Sequence, residues 1–199
     1  MKKFELTAES KINIFGKKLF RIKALISFGD VEEGETGGWI EKEENLEQSS
    51  GDAWVYGNAE VSGNARVYGD AWIFGNAWVY GDAEVYGNAR VYGNVWISGN
   101  ARVSGDAEVS GNARVSGDAR VYGNADYTTI HGFGTQFRAT TFFQCEDKQI
   151  RVSCGCFLGT IPEFREQVKN TREGKIAEEY LMIADLMEKH FVEEKESGE

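Results

Sequence analysis

Few side chains in this 199-residue sequence could carry reaction chemistry: two histidines, His131 and His190, and three cysteines, Cys145, Cys154 and Cys156. A zinc centre held by three histidines of one chain is excluded by count. Cys154-Gly155-Cys156 would place two thiols on one face of a strand, but two ligands do not make a closed metal site. Cys145 lies beside a polar turn, Glu146–Gln149, away from both. The three read as small apolar or half-buried residues. His190 stands near the end of a helical pattern, where a cation meets the negative end of the helix dipole. His131, in Ile130-His131-Gly132-Phe133-Gly134, could serve as a general base, but reads more simply as a surface histidine in a glycine-rich connector. No phosphate-cradling glycine loop, nucleophile elbow or EF-hand loop occurs.

The elements that position these residues are dictated by a repeat. From Gly51 to Tyr122 the unit G-[ND]-A-x-[VI]-x recurs twelve times without insertion, and a degenerate thirteenth, GNADYT, ends at Thr128. Strict self-similarity at a short period marks a solenoid. Within the unit, A-x-V-x has the period-2 alternation of a half-buried strand, so Ala53 and Val55 point inward and Trp54 and Tyr56 outward. Gly followed by Asn or Asp makes the corner, because both tolerate positive φ and the Asx side chain bonds nearby backbone. A helix is excluded, since glycine at every sixth position costs roughly 1 kcal/mol each there.

The flanks differ from the repeat. Residues 1–50 form an N-terminal β cap: Lys11–Phe15 and Leu19–Ile22 flank Gly16-Lys17 as a hairpin, and Ile40 and Leu46 stand one repeat length apart, as an irregular first coil requires. Residues 51–128 are the β-helix. Residues 129–193 form a small α+β element with a hairpin, Thr140–Phe143 against Ile150–Cys154, and two helices. The first helix starts at the capping box Thr160-Ile161-Pro162-Glu163 and runs to about Lys169. The second spans about Lys175–Val192, with Ile176, Tyr180, Ile183, Ala184, Met187 and Phe191 on one face. Residues 194–199 read as a disordered acidic tail.

With 32 acidic against 22 basic residues the net charge is −10, which argues against a general nucleic-acid binder. No apolar run approaches the ~18 residues of a membrane span, and MKKFELTAES carries no apolar core of a signal peptide. An odd number of cysteines without an export signal points to reduced thiols in a cytoplasm.

The run V-x-G-N-A-x resembles the hexapeptide pattern of the left-handed β-helix superfamily. That resemblance implies a mainly β fold, a left-handed parallel β-helix with three units per triangular coil and about four regular coils. Outward positions then fall in columns eighteen residues apart. Trp54, Trp72 and Arg90 stack beside Tyr56, Phe74 and Tyr92 on one face, Trp78 and Trp96 beside Tyr80 on the next, and Arg66, Glu84, Arg102 and Arg120 beside Tyr68, Tyr86 and Tyr122 on the third. So dense an aromatic surface calls for cover. Self-association, a homotrimer as in that superfamily, is one expectation. A flat aromatic ligand on Trp or Tyr, with Arg90 or Arg66 meeting an anion, is the other. Acyltransferases of the superfamily use a histidine base near a coenzyme A cleft, whereas residues 51–128 hold no His, Cys or Lys. An acyltransferase with an atypical site at His131 is therefore the runner-up.

Beyond the repeat, Arg21-Ile22-x-Ala24-Leu25, Gly37-Gly38-Trp39-Ile40-Glu41, Cys154-Gly155-Cys156-Phe157 and Gly159-Thr160-x-x-Glu163-Phe164 resemble motifs of bacteriophage and prophage β-helix proteins. The resulting expectation is a non-enzymatic, phage-encoded oligomer in the host cytoplasm, without cofactor or metal. It would antagonise a host defence system by capturing a protein or a small nucleotide signal.

Overall fold

A computed structural model describes residues 2–191; the end of the second helix at Val192 and the acidic tail 194–199 lie outside them. β1 (Phe4–Ile12) and β2 (Lys18–Ala24) form the antiparallel N-terminal hairpin, and β3 (Thr36–Ile40) pairs with β2. Twelve two-residue strands, β4 to β15, follow at six-residue intervals from Trp54–Val55 to Arg120–Val121. They distribute over three parallel sheets, four strands in each, and so make four regular coils. Trp39-Ile40 of β3 pairs with Glu60-Val61, and Leu46 bridges Val67, which adds the irregular first coil that the Ile40 and Leu46 spacing implies.

Residues eighteen apart are partners throughout, as in Trp72 with Arg90 and Trp78 with Trp96. Hydrogen bonds run from rung to rung, for example Trp72 N to Ala89 O at 2.9 Å and Phe74 N to Val91 O at 2.9 Å. Inside, every Ala, Val and Ile of the repeat is closed to solvent, and this narrow column supplies the hydrophobic stabilisation. Corners approach so closely that only glycine fits: at Gly93, φ is +85° and a Cβ would lie 2.7 Å from Gly111 O. Beside them Asn58, Asn76, Asn94 and Asn112 pass amide hydrogen bonds down one corner at 3.1 to 3.4 Å.

Both ends of the stack carry edge groups with no further rung, and side chains replace it. At the first coil Asn45 Nδ2 donates to Gly63 O and Ala65 O at 3.1 and 2.8 Å, and Lys3 Nζ donates to Gly51 O and Ala53 O. At the last, Glu108 N donates to Asn124 Oδ1, Ser110 N to Tyr127 Oη, Arg114 N to Thr141 Oγ1 and Tyr122 N to Asp126 Oδ2. The segment read as a thirteenth unit is therefore no coil. Its Asn124–Asp126 forms a short 3-10 turn, and Tyr127–Ile130 is β16, the first strand of an antiparallel sheet.

That sheet runs β16, β17 (Thr140–Gln144), β18 (Ile150–Cys154) and β19 (Phe157–Thr160), four strands where the sequence pattern implied a hairpin. Strands β16 and β19 are too short and too interrupted by polar residues to stand out as alternating runs. α1 (Ile161–Thr171) starts at the Thr160 capping box, with Glu163 N donating to Thr160 Oγ1 and Thr160 N to Glu163 Oε2. α2 (Gly174–His190) packs against it through Tyr180, Ile183, Ala184 and Met187. No helix of the described residues is long and apolar enough to cross a membrane.

The end cap supplies a titration signal. Cys145 pairs with Ala119 at the solenoid's end, and burial pushes its thiol from 9.0 up to about 11. Below pH 9 the thiol is neutral both folded and unfolded; between about 9 and about 11 only the unfolded chain ionises it. Stability therefore falls as pH rises through that window, by on the order of 1–3 kcal/mol from this group. Urea unfolding at pH 8.5 and 11 will show a smaller loss in Cys145→Ala than in the parent; identical losses would contradict the assignment.

Candidate functional site

The aromatic columns exist in the expected register, but the chain itself covers much of them. Trp54, read as outward and exposed, is fully buried: Phe4 and Phe28 of the N-terminal segment meet it edge-on at 6.1 and 5.5 Å. Alternation assigned its side of the strand correctly, yet the cap folds over that side and makes the indole core. Its Nε1 finds no hydrogen-bond partner, a cost of roughly 1–3 kcal/mol set against one of the largest apolar burials available.

On the second face, Phe15 at the hairpin tip lies 5.7 Å from Trp78, 4.8 Å from Tyr80 and 6.4 Å from Trp96. Trp78 and Trp96 stack at 4.8 Å, and the Arg114 guanidinium sits 4.7 Å from the Trp96 ring. Because Trp78 and Arg114 are its neighbours on the preceding and following rungs, both faces of Trp96 are occupied. On the first face Phe74 and Tyr92 stack at 4.8 Å, Tyr56 leans on Trp72, and Arg90 lies over Trp72. Burial, with Glu35 and Asp30 nearby, pushes the Tyr56 hydroxyl from 10.0 up to about 12. Arg90 also pairs with Glu108 at 3.8 Å, so its charge is already countered. Arg66 lies over Tyr68 on the third face, away from the first two.

The concentration of unpaired positive charge lies elsewhere, where the second face meets the C-terminal sheet. A cleft of about 690 Å³ is lined by Trp96, Asn112, Arg114, His131, Phe137 and Arg138, together with the turn Gly155-Cys156. None of its lining residues is a carboxylate, although acids outnumber bases 32 to 22 in the chain. Arg114 Nη1 donates to Gly155 O at 3.2 Å, and Arg138 lies against the same turn, its Nη1 2.8 Å from where a Cβ on Gly155 would stand. Among the described residues neither arginine has an acidic partner.

The loop 131–139 is held from behind. Tyr180 Oη of α2 donates to Phe133 O at 3.2 Å, and Gly134 (φ +70°) leaves room for that hydroxyl, 2.6 Å from an added Cβ. Phe137 sits in the same loop with φ +49° and is 71% exposed. A strained backbone that presents an apolar ring to solvent is costly, and such outliers concentrate at binding sites. His131 is exposed, also lines the adjoining recess with Tyr92 and Tyr127, and its ring makes no hydrogen bond among the described residues.

Cys154 and Cys156 do not share a strand face. Cys154 ends β18, and Gly155-Cys156 is the tight turn into β19, with Gly155 at φ +64°. No group of three His, Cys, Asp or Glu among the described residues could hold a metal ion. Arg114 was recoverable from the eighteen-residue column that contains Trp96. Arg138 and Phe137 were not, because a connector without periodicity has no register.

Residues 59–73, 83–99, 96–111 and 107–123 are similar to the family described as YdcK beta solenoid repeat. The matched segments lie within the coils, in keeping with a β-solenoid repeat protein. No curated protein matches the chain.

The two tryptophans of the column that begins with Trp54 separate in their energetics. Trp54→Ala removes a fully buried indole and will cost about 3–5 kcal/mol. Trp72→Ala, on the half-open surface, will cost on the order of 1 kcal/mol. Urea midpoints of the two variants measure this, and equal losses would contradict the burial of Trp54.

Proposed function

We propose that this protein is a non-enzymatic binding protein whose junction cleft takes up a small anion carrying a planar aromatic ring, a ligand of nucleotide character. The observation that carries the reading is the cleft's charge. Two arginines without acidic partners, an exposed histidine and an exposed phenylalanine converge there with no carboxylate among the lining residues. Guanidinium forks suit phosphate or carboxylate geometry, and the free amide of Asn112, which only accepts from Asn94, adds a donor. Because the faces of Trp96 are already taken, the ligand's ring stacks on Phe137 while its anionic group meets Arg114 and Arg138.

A binding role suits His131 better than catalysis, since among the described residues the ring has no partner to fix its tautomer or orient it as a base. The acyltransferase alternative requires that base. The proposed setting follows the resemblance to bacteriophage proteins: a phage-encoded protein in the host cytoplasm that captures a small signal of the host's defence. The first face, with Trp72, Phe74 and Tyr92 half-open, is the surface proposed for a homotrimer contact, which native mass spectrometry reads directly.

Calorimetric titration with nucleoside monophosphates and with inorganic phosphate tests the cleft. Binding of a nucleotide is expected to fall at least tenfold in Arg114→Gln and by about 1–3 kcal/mol in Phe137→Ala, with phosphate alone bound more weakly than the nucleotide. No binding at millimolar concentration, or binding indifferent to Arg114→Gln, would sink the reading. Turnover of an acyl-coenzyme A that disappears in His131→Ala would replace it with the enzyme.

A further inference from the structure

The C-terminal α+β element holds a second recess, of about 440 Å³, between the loop 134–138, the β18–β19 turn and the open side of α1 and α2. Its apolar wall is built by Phe157, Phe164, Val168 and Tyr180, and its rim carries Arg138 and Arg172. The wall is rigid for a reason visible in the core: Phe164 meets Phe157 at 5.5 Å and Tyr180 edge-on at 5.8 Å, so the three rings brace one another. A recess of this size falls in the range that holds small ligands.

The rim's charge is unspent. Arg172 Nη1 donates only to Thr171 O, and among the described residues Arg138 and Arg172 form no ion pair. Again no carboxylate is among the lining residues. The end of α1 would ordinarily oppose an anion with its terminal carbonyls, but Thr171 Oγ1 donates to Gln167 O at 2.7 Å and Arg172 N to Val168 O at 2.9 Å. Those acceptors are therefore satisfied, and the guanidiniums dominate the mouth. Tyr180 Oη is turned to Phe133 O at 3.2 Å, and burial raises its hydroxyl above the ordinary tyrosine range, so the wall stays uncharged.

We infer that this recess binds a hydrophobic monocarboxylate, its apolar body against Phe157, Phe164 and Val168 and its carboxylate between Arg138 and Arg172. The charge pattern selects this class: an apolar wall alone would accept a neutral molecule, and two arginines at the rim alone would accept phosphate. Arg138 lines both this recess and the junction cleft. The two sites therefore share one arginine, but the recess does not depend on the nucleotide reading of the cleft.

The test uses the whole chain and 3-phenylpropionate as probe, with 3-phenylpropionamide and inorganic phosphate as controls, read by calorimetry and by ligand-observed NMR. The carboxylate is expected to bind, and the amide and phosphate to bind at least tenfold more weakly. Arg172→Gln, at an exposed position, should weaken the carboxylate about tenfold or more. Gln167→Trp, at an exposed position on the lining, should obstruct the recess and weaken binding, and Arg114→Gln should leave it unchanged. Absence of binding at millimolar concentration, equal binding of acid and amide, or indifference to both Arg172→Gln and Gln167→Trp would overturn the inference. Loss on Arg114→Gln would assign the probe to the cleft and overturn it as well.

Discussion

Backbone hydrogen bonds directed from one rung to the next are the constraint on which the rest of this protein depends. Within the stack alternate amides find carbonyls of the following coil, as Trp96 N finds Ala113 O at 3.0 Å. The first and last rungs have no such neighbour, and each buried group left open there would cost about 1–3 kcal/mol and invite another chain to pair. Asn45 and Lys3 close one end, and Asn124, Asp126, Tyr127 and Thr141 close the other. All six are polar side chains outside the repeat, because a repeat unit placed there would only move the open edge one rung further.

Closing the last coil has a second consequence. The chain that supplies Tyr127 and Thr141 cannot continue as a coil, so it turns into an antiparallel sheet that closes over the solenoid's last rungs. The junction cleft lies where the loop 131–139 and the β18–β19 turn meet Trp96 and Arg114. Helix α2, remote in sequence, holds the cleft's loop through Tyr180 and Phe133. Capping, fold change and site are thus one physical event, and no carboxylate lines either of the two recesses where the arginines gather.

The aromatic columns illustrate how a surface can be written by the repeat and reassigned by what packs over it. Tyr68 and Tyr86 stack at 4.8 Å with their rings nearly parallel, which is the rung spacing expressed in side chains. Such ladders are internally satisfied, and Phe15 and the N-terminal segment take up part of the remainder. The demand for an external partner is correspondingly smaller than the composition implies.

Much was legible because it is periodic or local. The two-residue strands, the corners, the eighteen-residue columns and the first coil at Ile40 and Leu46 follow from spacing, and the start of α1 follows from the Thr160 and Glu163 pair. Three features were not. Trp54 is core, Cys154-Gly155-Cys156 is a turn, and GNADYT is a cap. In each, the local pattern permits two outcomes and the decision comes from residues far away in sequence: Phe4 and Phe28 over Trp54, β19 returning on β18, Thr141 at the edge of Arg114. The sequence by itself determined the solenoid, since every unit meets a copy of itself and local preference and long-range pairing coincide. Only the tertiary structure decided the site, since Arg114, Arg138 and Arg172 belong to three different elements and nothing but packing brings them to neighbouring recesses.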